Sequence, residues 1–561
     1  MIMIKEIYKH LYNEWFEEKN RACWFNSNKI NDIYLSNKYF NSNNLLDDIE
    51  IIISNIDSKE SGIGAILLYD QISRHHNRIS QIDLNYYTNI AAQISNYILT
   101  KNYKLSAYDI CFIYLPYRHL YDLNKFNIII KNIINLYINS NSNSDKQIYK
   151  KFIIASINKM YKYKNKKIIE TAFNPDTTAK SIIYDNWQDF SKILYYTPII
   201  FNLNIRLNDD LVSSFKKELK YISNENIIVS LSGGVDSNVA LFLIKHFNIN
   251  NNNIIAVHIN YNNRDECGGE LEFVKTYCNL LNIKLIYRTI DEINRPDCHN
   301  NGLRETYETL TRNIRYDMYK QICNTFETKS IIMMGHNKDD CFENILTNIN
   351  LKKNYNNLIG MNRLSIIDDI TFWRPLLDID KKTIINYAIN SQIPFLEDST
   401  PKWSSRGKIR DVVRPALKHY DDNIVSSFFE LNTIMKNNND MIDIYVIPNI
   451  LKKFLYYKNI TGDYYTCDKK IIEGYFKCEE IITNTNIWSK VFSEEPFFTY
   501  LDKNKITYKS INELIKTLNN IIIKFETIQI NTVKKFILKP NITINLSKTI
   551  DNKIKIIFVK H

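Results

Sequence analysis

Residues 227–245 pass from an apolar run, Ile-Ile-Val-Ser-Leu, through Ser232-Gly233-Gly234-Val235-Asp236-Ser237, into a second apolar run that begins at Asn238. The first run has the length and β-branched content of a buried strand, and the second has the look of a helix. Two adjacent glycines between them allow a tight turn and let an anion approach the backbone with no Cβ in the way. The free N–H groups of the first helical turn point at that anion, and the Ser232 and Ser237 hydroxyls add donors. A phosphate or pyrophosphate fits such a turn. No lysine follows the second glycine, so this is not the GxxxxGK[ST] loop, whose lysine reaches the phosphates. A Gly-Gly turn capped by Ser or Asp needs no ligand, but here strand, turn and helix coincide over consecutive residues.

The same rhythm continues downstream. Strands are expected at 227–231, 254–260, 284–290 and 330–335, with helical stretches between them, which implies an α/β core built on a doubly wound parallel sheet. Ligands of such sheets bind beyond the carboxyl ends of the strands, where the glycine turn falls. The second strand runs into His258-Ile-Asn260-Tyr261-Asn-Asn-Arg264-Asp265-Glu266, a polar cluster at that same edge. Arg312 and Arg315 are three apart on an expected helix, so they share a face that can clamp phosphate or RNA, or simply meet solvent. After the strand at 330 comes Gly335-His336-Asn337-Lys338-Asp339-Asp340-Cys341-Phe342-Glu343. Asp339, Asp340 and Glu343 lie within one helical turn, where two carboxylates can hold Mg2+ beside nucleotide phosphates. Acids in a first turn capped by Asn337 also complement the helix dipole without any metal.

The turn at Ser232–Ser237 resembles the SGGxDS signature of the ATP pyrophosphatases, the PP-loop family. That resemblance implies cleavage of ATP between its α and β phosphates, transfer of AMP to a substrate oxygen and release of pyrophosphate. Further stretches are Arg312-Asn-Ile-Arg315-Tyr316, Gly335-His336 with the acids that follow, Leu358-Ile-Gly360-Met361, Arg374-Pro375-Leu376-Leu377, Pro394-Phe-Leu-Glu397-Asp398, and Arg406-Gly407-Lys408-Ile409-Arg410 with Arg414-Pro415. In order and spacing, over residues 222–420, they resemble the tRNA(Ile)-lysidine synthetases. Thr311 stands where that family usually has Ala, and Gly407 where it has Asn. The resemblance implies a tRNA substrate, ATP with Mg2+, and L-lysine as the second substrate, joined at the wobble cytidine to give lysidine. It also implies residue roles. Ser232, Gly233, Gly234, Val235, Asp236 and Ser237 would hold the pyrophosphate. His258, Asn260, Gly335 and His336 would help hold the nucleotide. Asp339 and Asp340 would take the metal. Asp340 and Glu343 would position the lysine amine or metal, Arg312 or Arg315 the activated cytidine, and Arg406 or Arg410 the adenylate.

Residues 1–195 read as a separate all-α domain, with apolar residues at helical spacing such as Tyr8, Leu11 and Trp15. Trp15-Phe16, Leu67-Leu68-Tyr69-Asp70-Gln71-Ile72-Ser73-Arg74 and Phe112-Ile-Tyr-Leu-Pro116-Tyr-Arg118-His119 resemble a bacterial all-helical family of unknown function. That family has Ser after the final His, where this chain has Leu120. Asp70 and Arg74 also read as a plain i,i+4 helix pair. A PP-loop domain is expected over 205–420, and a small mixed α+β region over 421–561. In the latter, helices should run to about Phe525, a loop should lie at 437–440, and short strands should follow at 535–538, 542–546 and 553–558. Placement after the catalytic core suggests tRNA recognition for this last region.

A chain of 561 residues can bury several cores, and 45% hydrophobic with 13% aromatic residues argues against wholesale disorder. A net charge of +11 fits an anionic partner such as RNA, although a lysine-rich coding bias gives the same sum. No run approaches the length of a membrane span and no signal segment is evident at the start, so a cytoplasmic protein with no membrane partner, a homodimer being open, is expected. The nine cysteines include no C-x-x-C pair. That counts against a tRNA thiolase of the PP-loop type, which would activate the base identically but deliver sulfur. An amidotransferase would bring a glutaminase domain, often with Cys at its start, whereas position 2 is Ile. A non-catalytic RNA-binding scaffold is the remaining alternative, against which the intact Ser232–Ser237 turn and acidic triplet stand.

Overall fold

The structure, a computed structural model, describes residues 4–560 apart from 25–28, 42–44, 174–192, 197–208, 224, 248–252, 301, 352–357, 359, 399, 401, 403, 458–470, 502–505, 531 and 540. Two compact units result: residues 1–336 with 363–398, and residues 337–362 with 399–561.

In the first unit, helices occupy the chain from Ile4 to Phe173. The helix Ile4–Phe16 buries Tyr8, Leu11 and Trp15, the i, i+3, i+7 stripe of one face. They enter a core with Ile63, Leu67, Phe112 and Ile157. The 31-residue helix Asn143–Phe173 is about 46 Å long at 1.5 Å per residue. It places Ile153, Ile157 and Met160 in that helical core and Ile169 in a second one against the sheet. At Asn165, which is fully buried, this helix is bonded to the sheet domain. Its Nδ2 donates to the Ile314 carbonyl at 3.1 Å and to Asp317 at 2.9 Å, and its Oδ1 accepts from Arg288 Nε at 2.7 Å. Arg288 is itself paired with Glu292, both side chains fully buried.

The sheet has six strands in the order β4-β3-β2-β5-β7-β6: β2 Asn226–Ser230, β3 Ile254–Asn260, β4 Lys284–Thr289, β5 Ser330–Met334, β6 Leu364–Ile367 and β7 Ile370–Trp373. All neighbours are parallel except β6 and β7. Alternate residues of β2 serve opposite faces: Ile227 and Val229 join one core and Ile228 joins another with Val257, Met318 and Tyr319. Both faces are therefore covered, as a doubly wound parallel sheet requires. From β2 the chain builds outward through β3 and β4 on one side and through β5 on the other, so the topological switch point lies between the carboxyl ends of β2 and β5. The four strands expected from the sequence are present within a residue or so. The hairpin of β6 and β7 was not foreseen, nor was the short antiparallel pair of β1 Leu194–Tyr196 with β8 Phe395–Leu396.

In the second unit, helices over 338–350 and 405–451 precede a five-stranded antiparallel sheet in the order β11-β12-β13-β10-β9: β9 Phe454–Tyr457, β10 Ile471–Phe476, β11 Lys534–Lys539, β12 Ile542–Lys548 and β13 Ile554–Lys560. Alternation is clean: Ile542, Ile544 and Leu546 face Ile554, Ile556 and Phe558 in one core with Trp488. Two expectations for this region are corrected. Strands β9 and β10 fall inside the stretch read as helical, because Phe454, Ile472 and Phe476 alternate on too short a run to stand out. The Asn-Asp cluster at 437–440 is not a loop but part of the helix Ile424–Met441. Its low helix propensity is outweighed by the regular backbone bonding of the 18-residue element around it.

Replacing Asn165 by Ala would leave the Ile314 carbonyl and the Arg288 guanidinium short of a buried partner, at a cost of about 2–3 kcal/mol. A lowered urea midpoint for Asn165→Ala is expected; an unchanged midpoint would refute this junction.

Candidate phosphate turn and acid–arginine cluster

The turn after β2 is held by its own serines. The Ser232 amide donates to Ser237 Oγ at 3.2 Å, the two hydroxyls lie 3.0 Å apart, and Ser237 Oγ donates to the Gly234 carbonyl at 3.0 Å. The Gly234 amide donates to Ser232 Oγ at 3.3 Å. Gly233 has φ +88°, a left-handed conformation that disfavours any side chain. Its carbonyl accepts from the Leu396 amide at 3.0 Å, which ties the turn to β8. Gly234 is the N-cap of the helix Val235–His246 and offers no side chain to its first-turn amides, so the donors of that turn remain for an anion. At the neighbouring strand end, a Cβ on Gly335 would sit 2.9 Å from the Ser237 amide nitrogen. The carboxyl ends of β2 and β5 thus meet in backbone contact at the switch point.

His258 is buried on β3, and its Nδ1 donates to the Leu231 carbonyl at 2.9 Å; burial lowers its pKa. Asn260 donates to the Cys267 carbonyl at 3.3 Å and accepts from the Asn262 amide at 2.8 Å. Both residues brace the loops beside the glycine turn. Asp236, on the helix's first turn, forms an ion pair with Lys381. Lys381 opens the helix Lys381–Asn390 and was missed by the sequence reading, where a Lys-Lys at a helix start carries no distinguishing signal. His336 directly follows Gly335 and is half-buried. Arg312 and Arg315 diverge: Arg312 is exposed, whereas Arg315 Nη1 donates to the Tyr261 hydroxyl at 3.4 Å. Thr311 donates back to the Tyr307 carbonyl at 2.9 Å. Tyr261, Asn263, Arg295, Arg304, Tyr307 and Thr311 contribute to the lining of a cavity of about 210 Å³ beyond the end of β3.

In the second unit, Asn337 caps the helix Lys338–Asn350 in a reciprocal box: its Oδ1 accepts from the Asp340 amide at 3.0 Å and its own amide donates to Asp340 at 3.1 Å. The capping reading of these residues is therefore correct. The acids also serve a second purpose. Arg406 Nε donates to Glu343 Oε2 at 2.8 Å and its Nη2 reaches Asp340. Arg410 Nε donates to the other oxygen of Glu343 at 2.8 Å, and Arg414 forks onto Asp339. Spaced by four, the three arginines present one face of a helical stretch. Glu343 is 3% exposed, and the Arg406 and Arg410 guanidiniums are its partners there. Burial opposes the Arg406 charge, but Asp340 and Glu343 hold its pKa above the ordinary range. The Gly407 amide donates to the Ser404 hydroxyl at 3.0 Å as the stretch begins. Arg414 was given no role by the sequence, although its four-residue spacing from Arg410 was visible. Among the described residues no group of three His, Cys, Asp or Glu is arranged to hold a metal ion. Asp339 and Asp340, the residues expected to take Mg2+, are each paired with a guanidinium.

In the helical region, Asp70, Gln71, Arg74 and His119 do come together. Asp70 accepts from Arg74 at 3.2 Å and from His119 Nδ1 at 2.8 Å, and Gln71 donates to its second oxygen.

Residues 207–417 match the family described as PP-loop domain, and residues 11–173 match a family described as bacterial protein of unknown function. A tRNA(Ile)-lysidine synthase of Mycoplasma mycoides subsp. mycoides SC is 28% identical over 317 residues, 54% of this chain and 73% of that protein. Those of Mesoplasma florum and Clostridium acetobutylicum are 32% and 25% identical, over 33% and 56% of this chain. They are covered over 44% and 64% of their own lengths.

Gly335→Ala forces the β5 end off the Ser237 amide and should weaken ATP binding, read by calorimetric titration, by at least about tenfold. Unaltered affinity would mean that the turn is not where the phosphates sit.

Proposed function

For a chain that pairs a PP-loop domain with a helical domain of the family of unknown function, we propose ATP-dependent modification of tRNA, with lysine joined to the wobble cytidine of an isoleucine tRNA. The observation that carries this reading is the Ser232–Ser237 turn: an anion cradle of backbone amides and hydroxyls at a sheet switch point, with no P-loop lysine. Similarity to the lysidine synthases over more than half of this chain supports the choice of substrate.

The chemistry has two steps. The cytidine C2 carbonyl oxygen attacks the α-phosphorus of ATP, and pyrophosphate leaves with the electrons of the broken P–O bond. The lysine amine then attacks C2, loses a proton, and AMP departs with the C2–O bond. In the first unit, amides of the helix's uncapped first turn, Val235 to Ser237, stabilise the charge that develops on pyrophosphate, and the two serines hold the turn in shape. Lys381, already held by Asp236, adds a cation beside the turn. In the second unit, Glu343 and Asp340 are the carboxylates available to receive the lysine ammonium. Arg406 and Arg410 hold them oriented, and the incoming amine takes the place of one guanidinium. Exposed Arg312 suits the RNA backbone, and the C-terminal sheet region suits recognition of the rest of the tRNA.

Sulfur delivery is less well supported. Burial pushes the Cys278 and Cys298 thiols up to about 12, far from the thiolate that such chemistry uses.

The test is transfer of radiolabelled lysine to an unmodified isoleucine tRNA transcript with a CAU anticodon, in ATP and Mg2+. Incorporation is expected, abolished in Asp236→Ala with RNA affinity retained. Absence of incorporation while AMP still forms would redirect the second step to another nucleophile. In the same assay Arg406→Ala should lower turnover by about a hundredfold, as for loss of an oriented charge; unchanged kinetics would remove Arg406 from the site.

A further inference from the structure

The helical region carries a charge imbalance that the proposed tRNA chemistry does not use. Asp70 is fully buried and sits on a π-helical segment, Leu67–Ile72, a helix distortion common at functional sites. Three cations from three elements gather around this single carboxylate. Arg74 is bonded to it, with its guanidinium steadied by the Thr88 hydroxyl at 2.8 Å. Arg118, from the last turn of the helix Ala107–Leu120, and Lys159, from the helix Asn143–Phe173, both feel the Asp70 charge and repel Arg74.

Among the described residues neither Arg118 nor Lys159 is in an ion pair or makes a hydrogen bond; Arg118 lies 5.7 Å from the Phe152 ring centroid and Lys159 5.2 Å from that of Tyr121. The Arg118 Nε is buried and unbonded. Ser156, one turn before Lys159 on the same helix face, buries a hydroxyl that likewise has no hydrogen-bond partner among the described residues. Tyr121, which covers Lys159, has φ +56°, a strained conformation for a side-chain-bearing residue of the kind that gathers at binding sites.

With His119 neutral, as burial dictates, three positive charges face one negative. The carboxyl end of the helix Ala107–Leu120 offsets about half a charge, which leaves more than one unmatched. Burying cations without partners is costly, and a molecule that completes the set removes that cost. A phosphate group, with a charge near −2 at neutral pH and three strong acceptor oxygens, matches both the excess and the unbonded guanidinium donors.

We propose that Arg74, Arg118 and Lys159, arrayed around Asp70, form a binding site for a phosphate-bearing small molecule in the helical domain, separate from the glycine turn. Lys159 is held down to about 8 by burial and by its two arginine neighbours, in keeping with a site that lacks its anion. The site does not rest on the tRNA reading.

Calorimetric titration of the full-length protein with inorganic phosphate at constant ionic strength tests it, followed by a phosphomonoester and, as the alternative anion, a carboxylate. Saturable phosphate binding is expected. Arg118→Gln and Lys159→Gln should each weaken it at least tenfold, with ATP binding at the glycine turn unchanged and the thermal unfolding midpoint not lowered, and Arg118→Lys should restore much of it. Absence of saturable binding, binding insensitive to both glutamine variants, or preference for the carboxylate would overturn the proposal.

Discussion

Gly335 has no room for a side chain, because the Ser237 amide occupies the place where a Cβ would stand. That single contact sets the geometry of the nucleotide end of the sheet. It fixes the carboxyl end of β5 against the first turn of the helix that follows β2, and the turn between them is then closed by Gly233 in its left-handed conformation and by two mutually bonded serines. Amides left without side-chain caps in that first turn are the donors assigned to the anion in the proposed reaction. Supporting pieces come from the next layer: His258 bonds the Leu231 carbonyl just before the turn, and β8 bonds the Gly233 carbonyl within it.

Two charged clusters show how differently burial can be handled in one chain. Around Glu343, three carboxylates meet three arginines, so every buried charge has a partner and the group is balanced. Such a cluster can exchange one cation for another at modest cost. Around Asp70, one carboxylate meets three cations. An unbalanced group in a partly dry environment is stabilised by an arriving anion rather than by exchange.

Much of the core was legible because its signals are local. A glycine turn flanked by a β-branched run and an apolar helix can be read residue by residue, and the four parallel strands are short apolar runs with polar ends. Asn337 announced itself as a cap, and the acids after it were correctly grouped. What was hidden is tertiary. Nothing at Lys381 distinguishes it from other surface lysines until the fold brings it to Asp236. Arg406, Arg410 and Arg414 advertise a shared face, but not which acids they meet. Strands β9 and β10 escaped because their alternation is brief and their apolar residues pack against distant helices. The Asn-rich segment at 437–440 misled for the opposite reason: local propensity favours a loop, and the long helix around it prevails.

In the proposed reaction the glycine turn grips the β and γ phosphates of ATP as a leaving pyrophosphate, so that the α-phosphorus is attacked. Incubating the protein with unmodified isoleucine tRNA and ATP labelled at the α-phosphate, then separating the nucleotides, tests it directly. Labelled AMP, formed together with pyrophosphate and only when the RNA is present, is the predicted result. Labelled ADP, with inorganic phosphate as its companion, would contradict it.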